Sequence, residues 1–398
     1  MSSRFKIPIL DLKAHFREIR SEVQTAIDEV LEDQQFILGP AVSRFEAQMV
    51  SYLGCGHAVG VASGSDALLL ALMGLGIGRG DAVVVPPFTF FSTVSAITRV
   101  GAKPFFVDID PDDFLISAEA LERFFVRRVR RNDGRALDVE TGLTIKAILP
   151  VHLFGRCCST ETFLPMARQF DLRVVEDVAQ ACGARTLISG QERFAGAVGD
   201  AGCFSFFPSK TLGGLGDGGL LTTNDAALAA RFKTLRMHGE AQKYHHRWVG
   251  INSRLDSLQA AVLSVKQRHL NYWCDQRMAK AQVYHRLFVQ SDLLGEDKVI
   301  AIPACFKGRD HVFNNYVVRV HRRDELKDFL AERGIQSEVY YPLPLHLQEC
   351  FADLGYKTGD FPAAELAARQ VLALPLYPEI AADQQECVVS AIRDFFCR

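Results

Sequence analysis

Short apolar runs closed by turn residues recur through the middle of the chain: "AVVVPP", "KPFFVDID", "IKAILPVHLFG", "LRVVEDVAQ", "AGCFSFFP" and "GGLLTTND". Runs of this length read as strands buried inside a sheet. Between several of them lie helix-like stretches such as "SDALLLALMGLG" and "SAEALERFFVRRVRR". The alternation predicts an α/β architecture, a largely parallel sheet with helices on both faces, since a parallel connection crosses the sheet and usually does so as a helix. An amphipathic segment, "AHFREIRSEVQTAIDEVLEDQQ", comes before the first strand. The alternation weakens after about residue 250, where a long helix-like run, "RLDSLQAAVLSVKQRHLNYWCDQRMAKAQVYHRLF", leads into a mixed, Pro-rich part. A large domain over 1–250 and a small C-terminal domain over 251–398 are therefore expected.

With 398 residues, 48% of them hydrophobic and 23% charged, the chain has enough apolar side chains for such cores. Its formal net charge of -2 supplies no overall positive field, so neither nucleic acid nor a membrane is an expected partner, and a small substrate is. The ten cysteines are scattered without a CxxC pair and "MSSRFKIPILD" lacks a signal-peptide pattern, which points to a reducing cytoplasm; no metal site is expected. No apolar run reaches the roughly 18 residues of a membrane span. In "RRVRRNDGRALDVETGLT", Arg127, Arg128, Arg130 and Arg131 read as the end of a helix before an Asn-Asp-Gly turn, where cations suit the negative dipole end, rather than as an anion patch.

The stretch "CFSFFPSKTLGGLGDGGLLTTND" sets Lys210 after a strand-like run and before a cluster of glycines. A Walker loop needs glycine directly before its lysine and again six residues before it, where this chain has Ser209 and Phe204. Gly214, Gly216 and Gly219 spell G-x-G-x-x-G, but a strand-like "LLTTND" follows, whereas a dinucleotide fingerprint opens a helix. Asp177 ends the run "LRVVED", where a buried carboxylate wants a cation. In "GVASGSDALLLALMGLG" a strand turns through Ser63, Gly64 and Ser65 into a helix, whose free N–H groups make an anion site. Ligands of open α/β sheets bind at the carboxyl ends of strands, where all three features fall. Together they suit pyridoxal 5'-phosphate: a Schiff-base lysine, a carboxylate that keeps the pyridine nitrogen protonated, and a phosphate cradle.

Ordered motifs carry a family resemblance over nearly the whole chain. "GVASGSDALLLALMGLGIGRGDAVVVPPFTFFSTVSAITRVGAKPFFVDID", "EDVAQACGA", "CFSFFPSKTLGGLGDGG", "GINSRLDSLQAAVL" and "YYPLPLHLQECFADLGYKTGDFPAAELAARQVLALPLYPE" resemble the DegT/DnrJ/EryC1/StrS family of pyridoxal-phosphate sugar aminotransferases. The insert around 127–144 is the main departure. The resemblance implies the aspartate aminotransferase type of fold (PLP fold type I), and a homodimer with active sites at the interface. It makes Lys210 the Schiff-base lysine, Asp177 the pyridinium partner, Gln180 the hydrogen-bond partner of the cofactor's phenolic oxygen, and Phe90 the aromatic stacked on the ring. Gly64, Ser65 and Ser205 resemble phosphate contacts, and Asn252 a phosphate contact given by the partner subunit. Arg254 and His346 fall at substrate-facing positions, with a buried ion pair for the first and a satisfied core histidine for the second as the competing readings.

The implied reaction moves an amino group from L-glutamate to a nucleotide-linked 3- or 4-keto sugar, giving an amino sugar nucleotide for surface polysaccharide or glycoconjugate biosynthesis. Family members that work as pyridoxamine-dependent dehydratases replace the lysine by histidine, so Lys210 argues against that alternative. A non-catalytic or regulatory cofactor-binding member is the other.

Overall fold

The computed structural model describes residues 6–304 and 308–397. Two helices, α1 (Leu12–Asp33) and α2 (Pro40–Leu53), lead into strand β1 (His57–Val61) and helix α3 (Gly64–Gly74). Then come β2 (Asp81–Val85), α4 (Phe91–Arg99), β3 (Lys103–Phe106) and α5 (Ala118–Arg128). A hairpin, β4 (Val129–Asn132) and β5 (Arg135–Asp138), precedes β6 (Thr144–Ile148), α6 (Thr160–Phe170) and β7 (Arg173–Asp177). A second hairpin, β8 (Arg185–Ile188) and β9 (Gln191–Phe194), is followed by β10 (Ala201–Ser205), β11 (Gly219–Thr223) and α7 (Ala226–Leu235). A third, β12 (Glu240–Gln242) and β13 (His245–His246), leads to the long helix α8 (Ser257–Gln290). The remainder is β14 (Val299–Ala301), β15 (Tyr316–Val320), α9 (Arg323–Glu332), α10 (Pro362–Gln370), β16 (Val371–Leu374) and α11 (Ala382–Phe396).

The main sheet runs β1-β11-β10-β7-β6-β2-β3. From β10 to β3 every pairing is parallel, as the alternation of runs and helices predicts, and β2, β3, β7 and β10 are each buried on all residues but one. At the other edge β11 lies antiparallel to both β10 and β1. The chain between β10 and β11 is a loop that turns back on the same sheet edge, so no crossover helix is needed and the strand must reverse. Two reversals leave β1 running the same way as β10. Val61 and Ser205 both pair with Gly219, so the end of β1, the start of α3 and the end of β10 share one edge with the end of β7.

The insert departs from the expected helix end. Arg127 and Arg128 do close α5, but Arg130 and Arg131 lie on β4. Asp133 and Gly134, with φ of 46° and 76°, make the tight turn of a hairpin, and β5 pairs with the first residues of β6. Arg128 anchors the insert by a two-pronged ion pair, Nε to Asp138 Oδ1 at 2.9 Å and Nη2 to Oδ2 at 3.0 Å. The anion-patch alternative loses this arginine to an internal partner.

Helix α8 starts just after residue 250 and contributes to three cores, one of them its packing of Val262, Val265 and Trp273 against Ile19 and Val23 of α1. Leu263 and Leu270 pack with Phe45, Met49 and Phe204, whereas Tyr284 and Phe288 pack with Val318, Leu372 and Ile392 around the antiparallel sheet β14-β15-β16. Among the described residues, no helix is long and apolar enough to cross a membrane and no cluster of side chains suits a metal ion.

Candidate active site

A cavity of about 510 Å³ opens at the sheet edge where β1, β7 and β10 end. Gly64, Ser65, Phe90, Asp177, Gln180, Ser205 and Lys210 all line it. They come from segments far apart in the chain, and the parallel run of β7 and β10 with the double reversal at β11 brings them together.

One wall is the start of α3. Ser63 caps the helix, its Oγ accepting from Asp66 N at 3.1 Å, while the N–H groups of Gly64 and Ser65 have no acceptor within the helix. A Cβ on Gly64 would stand 2.6 Å from Ser205 Cβ, so glycine here lets the helix end approach β10. Ser65 Oγ shares a hydrogen bond of 2.6 Å with Ser92 Oγ. Main-chain N–H groups, hydroxyls and the positive helix end therefore converge on one point, which fits a phosphate.

Asp177 is buried, and burial pushes its carboxyl upward; Thr93, the Ala179 N–H and the Lys210 ammonium pull the other way. Thr93 Oγ1 donates to Oδ2 at 2.8 Å and Ala179 N to Oδ1 at 3.1 Å. The sequence predicts an ionised carboxylate beside a cation; within the described residues the cation does not fully offset the desolvation. Lys210 Nζ has no hydrogen-bond partner among the described residues, and burial pulls its pKa down to about 8, with Asp177 opposing. A desolvated carboxylate and a desolvated amine facing one cavity mark a place for a cationic heterocycle and a carbonyl.

Gln180 is held at both ends: Oε1 accepts from Phe154 N at 2.6 Å and Nε2 donates to Tyr341 Oη at 3.1 Å. Phe90 is 55% exposed, its ring centroid 6.1 Å from that of Tyr341, so it is presented to the cavity rather than packed in the core. Behind Asp177, His152 Nδ1 accepts from Cys158 N at 2.9 Å and Nε2 lies 3.1 Å from Glu176 Oε2. Glu176 also accepts from the N–H groups of Gly196, Val198 and Gly199, and His152 first, then Gly199 and Gly196, keep its carboxyl low against the effect of complete burial. Thr93, His152, Tyr341 and Arg277 are site residues that the sequence reading did not assign. Thr93 and His152 lie inside the quoted runs "PPFTFFST" and "PVHLFG", but nothing local distinguishes them from core residues.

Three expected residues lie elsewhere. Asn252 is exposed and Arg254 half-buried, and neither borders this cavity. Arg254 Nη1 is 3.8 Å from Met237 Sδ, and the residue forms no ion pair among the described residues. His346, expected to face substrate, does not line the cavity: it is 2% exposed, with Nε2 3.1 Å from Glu365 Oε1 and its ring against Phe361 at 4.8 Å. Burial pulls its pKa down despite that carboxylate. It is a core histidine whose Nε2 is engaged by Glu365, while Nδ1 has no hydrogen-bond partner among the described residues.

A cavity with an amine, a carboxylate and a phosphate cradle on an α/β sheet defines the aminotransferase class, and comparison with known proteins agrees. The DegT/DnrJ/EryC1/StrS aminotransferase family model matches residues 17–393, and the chain belongs to that family. It is 43% identical to the "Pleiotropic regulatory protein" of Geobacillus stearothermophilus, with 98% of each chain covered. It is 40% identical to the UDP-N-acetyl-3-dehydro-alpha-D-glucosamine 3-aminotransferase of Acidithiobacillus ferrooxidans, with 99% of each covered. The crystal structure of S. venezuelae DesV in complex with a ketimine intermediate superposes with a TM-score of 0.88 at 39% identity, over 98% of this chain and 99% of that one.

Proposed function

We propose that the protein binds pyridoxal 5'-phosphate in this cavity and transfers an amino group from L-glutamate to C3 of a nucleotide-linked keto sugar. The observation that carries this reading is Lys210, an amine without a hydrogen-bond partner among the described residues and with its pKa pulled down to about 8, in the same cavity as buried Asp177 and the open end of α3. The choice of C3 is supported by the 3-aminotransferase named among the relatives. An amino sugar nucleotide of this kind feeds surface polysaccharide or glycoconjugate synthesis, a cytoplasmic step.

When bound, the cofactor supplies an aldehyde carbon for the amino group and a protonated ring that withdraws electrons from the donor's Cα. Gly64, Ser65 and Ser205, which line the cavity, would hold its phosphate, and Phe90 would supply an aromatic surface for its ring. Asp177 keeps the proton on the ring nitrogen, because a buried carboxylate gains most from a cation placed against it. Gln180, fixed by Phe154 and Tyr341, orients its amide towards the phenolic oxygen. Lys210 Nζ, once unprotonated, takes the proton from the donor's Cα and later returns one to the sugar carbon. Asn252 and Arg254, lying outside their own chain's cavity, complete the site of a partner subunit in a homodimer.

A regulatory role without turnover is the second reading, favoured by the name of one relative. One experiment separates the two. The protein, loaded with the aminated cofactor, is mixed with a panel of 3-keto and 4-keto sugar nucleotides while the cofactor's visible absorbance is followed. Rapid conversion with a 3-keto substrate is expected, and absence of conversion with every substrate overturns the proposal.

A further inference from the structure

We propose that Arg277 is the residue that receives a carboxylate of the amino donor. The inference rests on the transaminase reading above and names the donor side of the same site. Arg277 lies in α8, is 4% exposed, and borders the cavity beside Ile9, Leu10, Tyr340 and Leu376. Its Nη1 donates to the main-chain oxygens of Phe313 at 3.1 Å, Asn314 at 3.5 Å and Leu376 at 3.0 Å. These bonds pin one prong of the guanidinium. Nε and Nη2 have no hydrogen-bond partner among the described residues, and the side chain forms no salt bridge there.

A buried cation without a counter-ion is unfavourable, and burial pulls the guanidinium down to about 10. Glu379, whose charge partly supports it, is taken by His15 Nδ1 at 2.9 Å. Two other basic groups line the cavity. Lys210 is the amine that reacts, and His152 has both ring nitrogens engaged, by Cys158 N–H and by Glu176. Apart from the reacting Lys210, Arg277 is thus the cavity cation that keeps free donors among the described residues, arranged in the planar fork that matches a carboxylate. An amino acid donor whose amine is delivered beside Lys210 has a carboxylate to place, and this fork offers the matching pair of N–H groups. The donor class that follows is an anionic amino acid, not a simple amine.

Arg277→Gln, assayed as holoenzyme, should raise the KM for L-glutamate by roughly 20-fold or more while leaving the KM for the keto sugar within about twofold, since a charged hydrogen-bond pair is removed from one half-reaction only. Arg277→Lys, which keeps the charge and loses the fork, should fall between the two. An unchanged donor KM in a folded Arg277→Gln protein overturns the inference. If neither variant folds, the parental holoenzyme decides: phenylglyoxal labelling, read by peptide mass spectrometry, should modify Arg277 slowly, and glutarate should protect it. No labelling of Arg277, or protection confined to Arg254, also overturns the inference. Glutarate protection needs no turnover. A parental enzyme that fails to aminate any keto sugar therefore refutes the proposed function while this binding test is still read on its own.

Discussion

Thr93 Oγ1 donates a hydrogen bond of 2.8 Å to Asp177 Oδ2, and both residues are buried. With Ala179 N on Oδ1, each carboxylate oxygen has one internal donor and is fixed in direction while a lone pair remains for a ligand. Thr93→Val keeps the shape and removes that donor. The carboxyl, already raised by burial, should rise further, and kcat/KM should fall by about 1.5–3 kcal/mol, or roughly 10- to 150-fold, the range for a hydrogen bond to a charged group. Asp177→Asn, which removes the charge itself, should lower the rate by roughly 2 kcal/mol or more. Steady-state kinetics with thermal melts of both variants check this; a Thr93→Val enzyme as active as the parent would leave Thr93 a packing role only.

Lys210 titrates near pH 8 because burial disfavours its ammonium more than Asp177 supports it. Below that pH the amine is protonated and cannot attack a carbonyl, so covalent capture of pyridoxal phosphate by the apoprotein should accelerate as pH rises and level off above about 8. A solvated lysine would put the midpoint near 10.5. The sign for stability follows. Between about 8 and 10.5 the unfolded chain binds more protons than the folded one, so apoprotein stability should rise with pH across that window. Lys210→Met should flatten this rise, and Lys210→Ala should abolish transamination and the borohydride-trapped cofactor link with the fold retained. Stopped-flow capture rates and denaturant melts across the window provide the test.

Gly64→Ala sets a methyl 2.6 Å from Ser205 Cβ and 3.1 Å from Ser205 Cα, so either α3 or β10 must shift. Overpacking at such a junction destabilises by about 1–3 kcal/mol. Because the same junction forms the phosphate cradle, the dissociation constant for the cofactor should rise at least ~10-fold, the equivalent of 1.4 kcal/mol. Ser205→Gly in the same chain should recover melting temperature but not cofactor affinity. Recovery of both would show that Ser205 contributes space and not binding.

Asn252 and Arg254 lie outside their own chain's cavity, which motivates a mixing experiment. Lys210→Ala protein and protein carrying Asn252→Asp with Arg254→Glu should each be inactive. Their heterodimers would hold one site with both defects and one with neither, and random exchange should restore up to about a quarter of parental activity. Isolated heterodimers that stay inactive would place both residues in the structure of their own subunit.

Much of this site was legible because its signals are local. The apolar runs give β2, β3, β6, β7, β10 and β11; Lys210 and Asp177 stand at strand ends; and Ser63 and Gly64 spell a capped helix start. Their chemistry depends on residue type and on the ends of the elements that carry them, which neighbouring residues specify. Pairing and burial depend instead on contacts between distant segments. Only the tertiary structure decided that β11 reverses and sets Gly64 against Ser205, or that Arg130 and Arg131 extend a hairpin rather than a helix. It took the packing of α10 to turn His346 towards Glu365 and away from the cavity, and the course of α8 to set Arg277 on the cavity wall. A polar side chain in a helix or turn reads the same in sequence whether it meets a carboxylate, a carbonyl or a ligand. What distinguishes these outcomes is which desolvated partner the fold places opposite, and that is a property of the assembled chain.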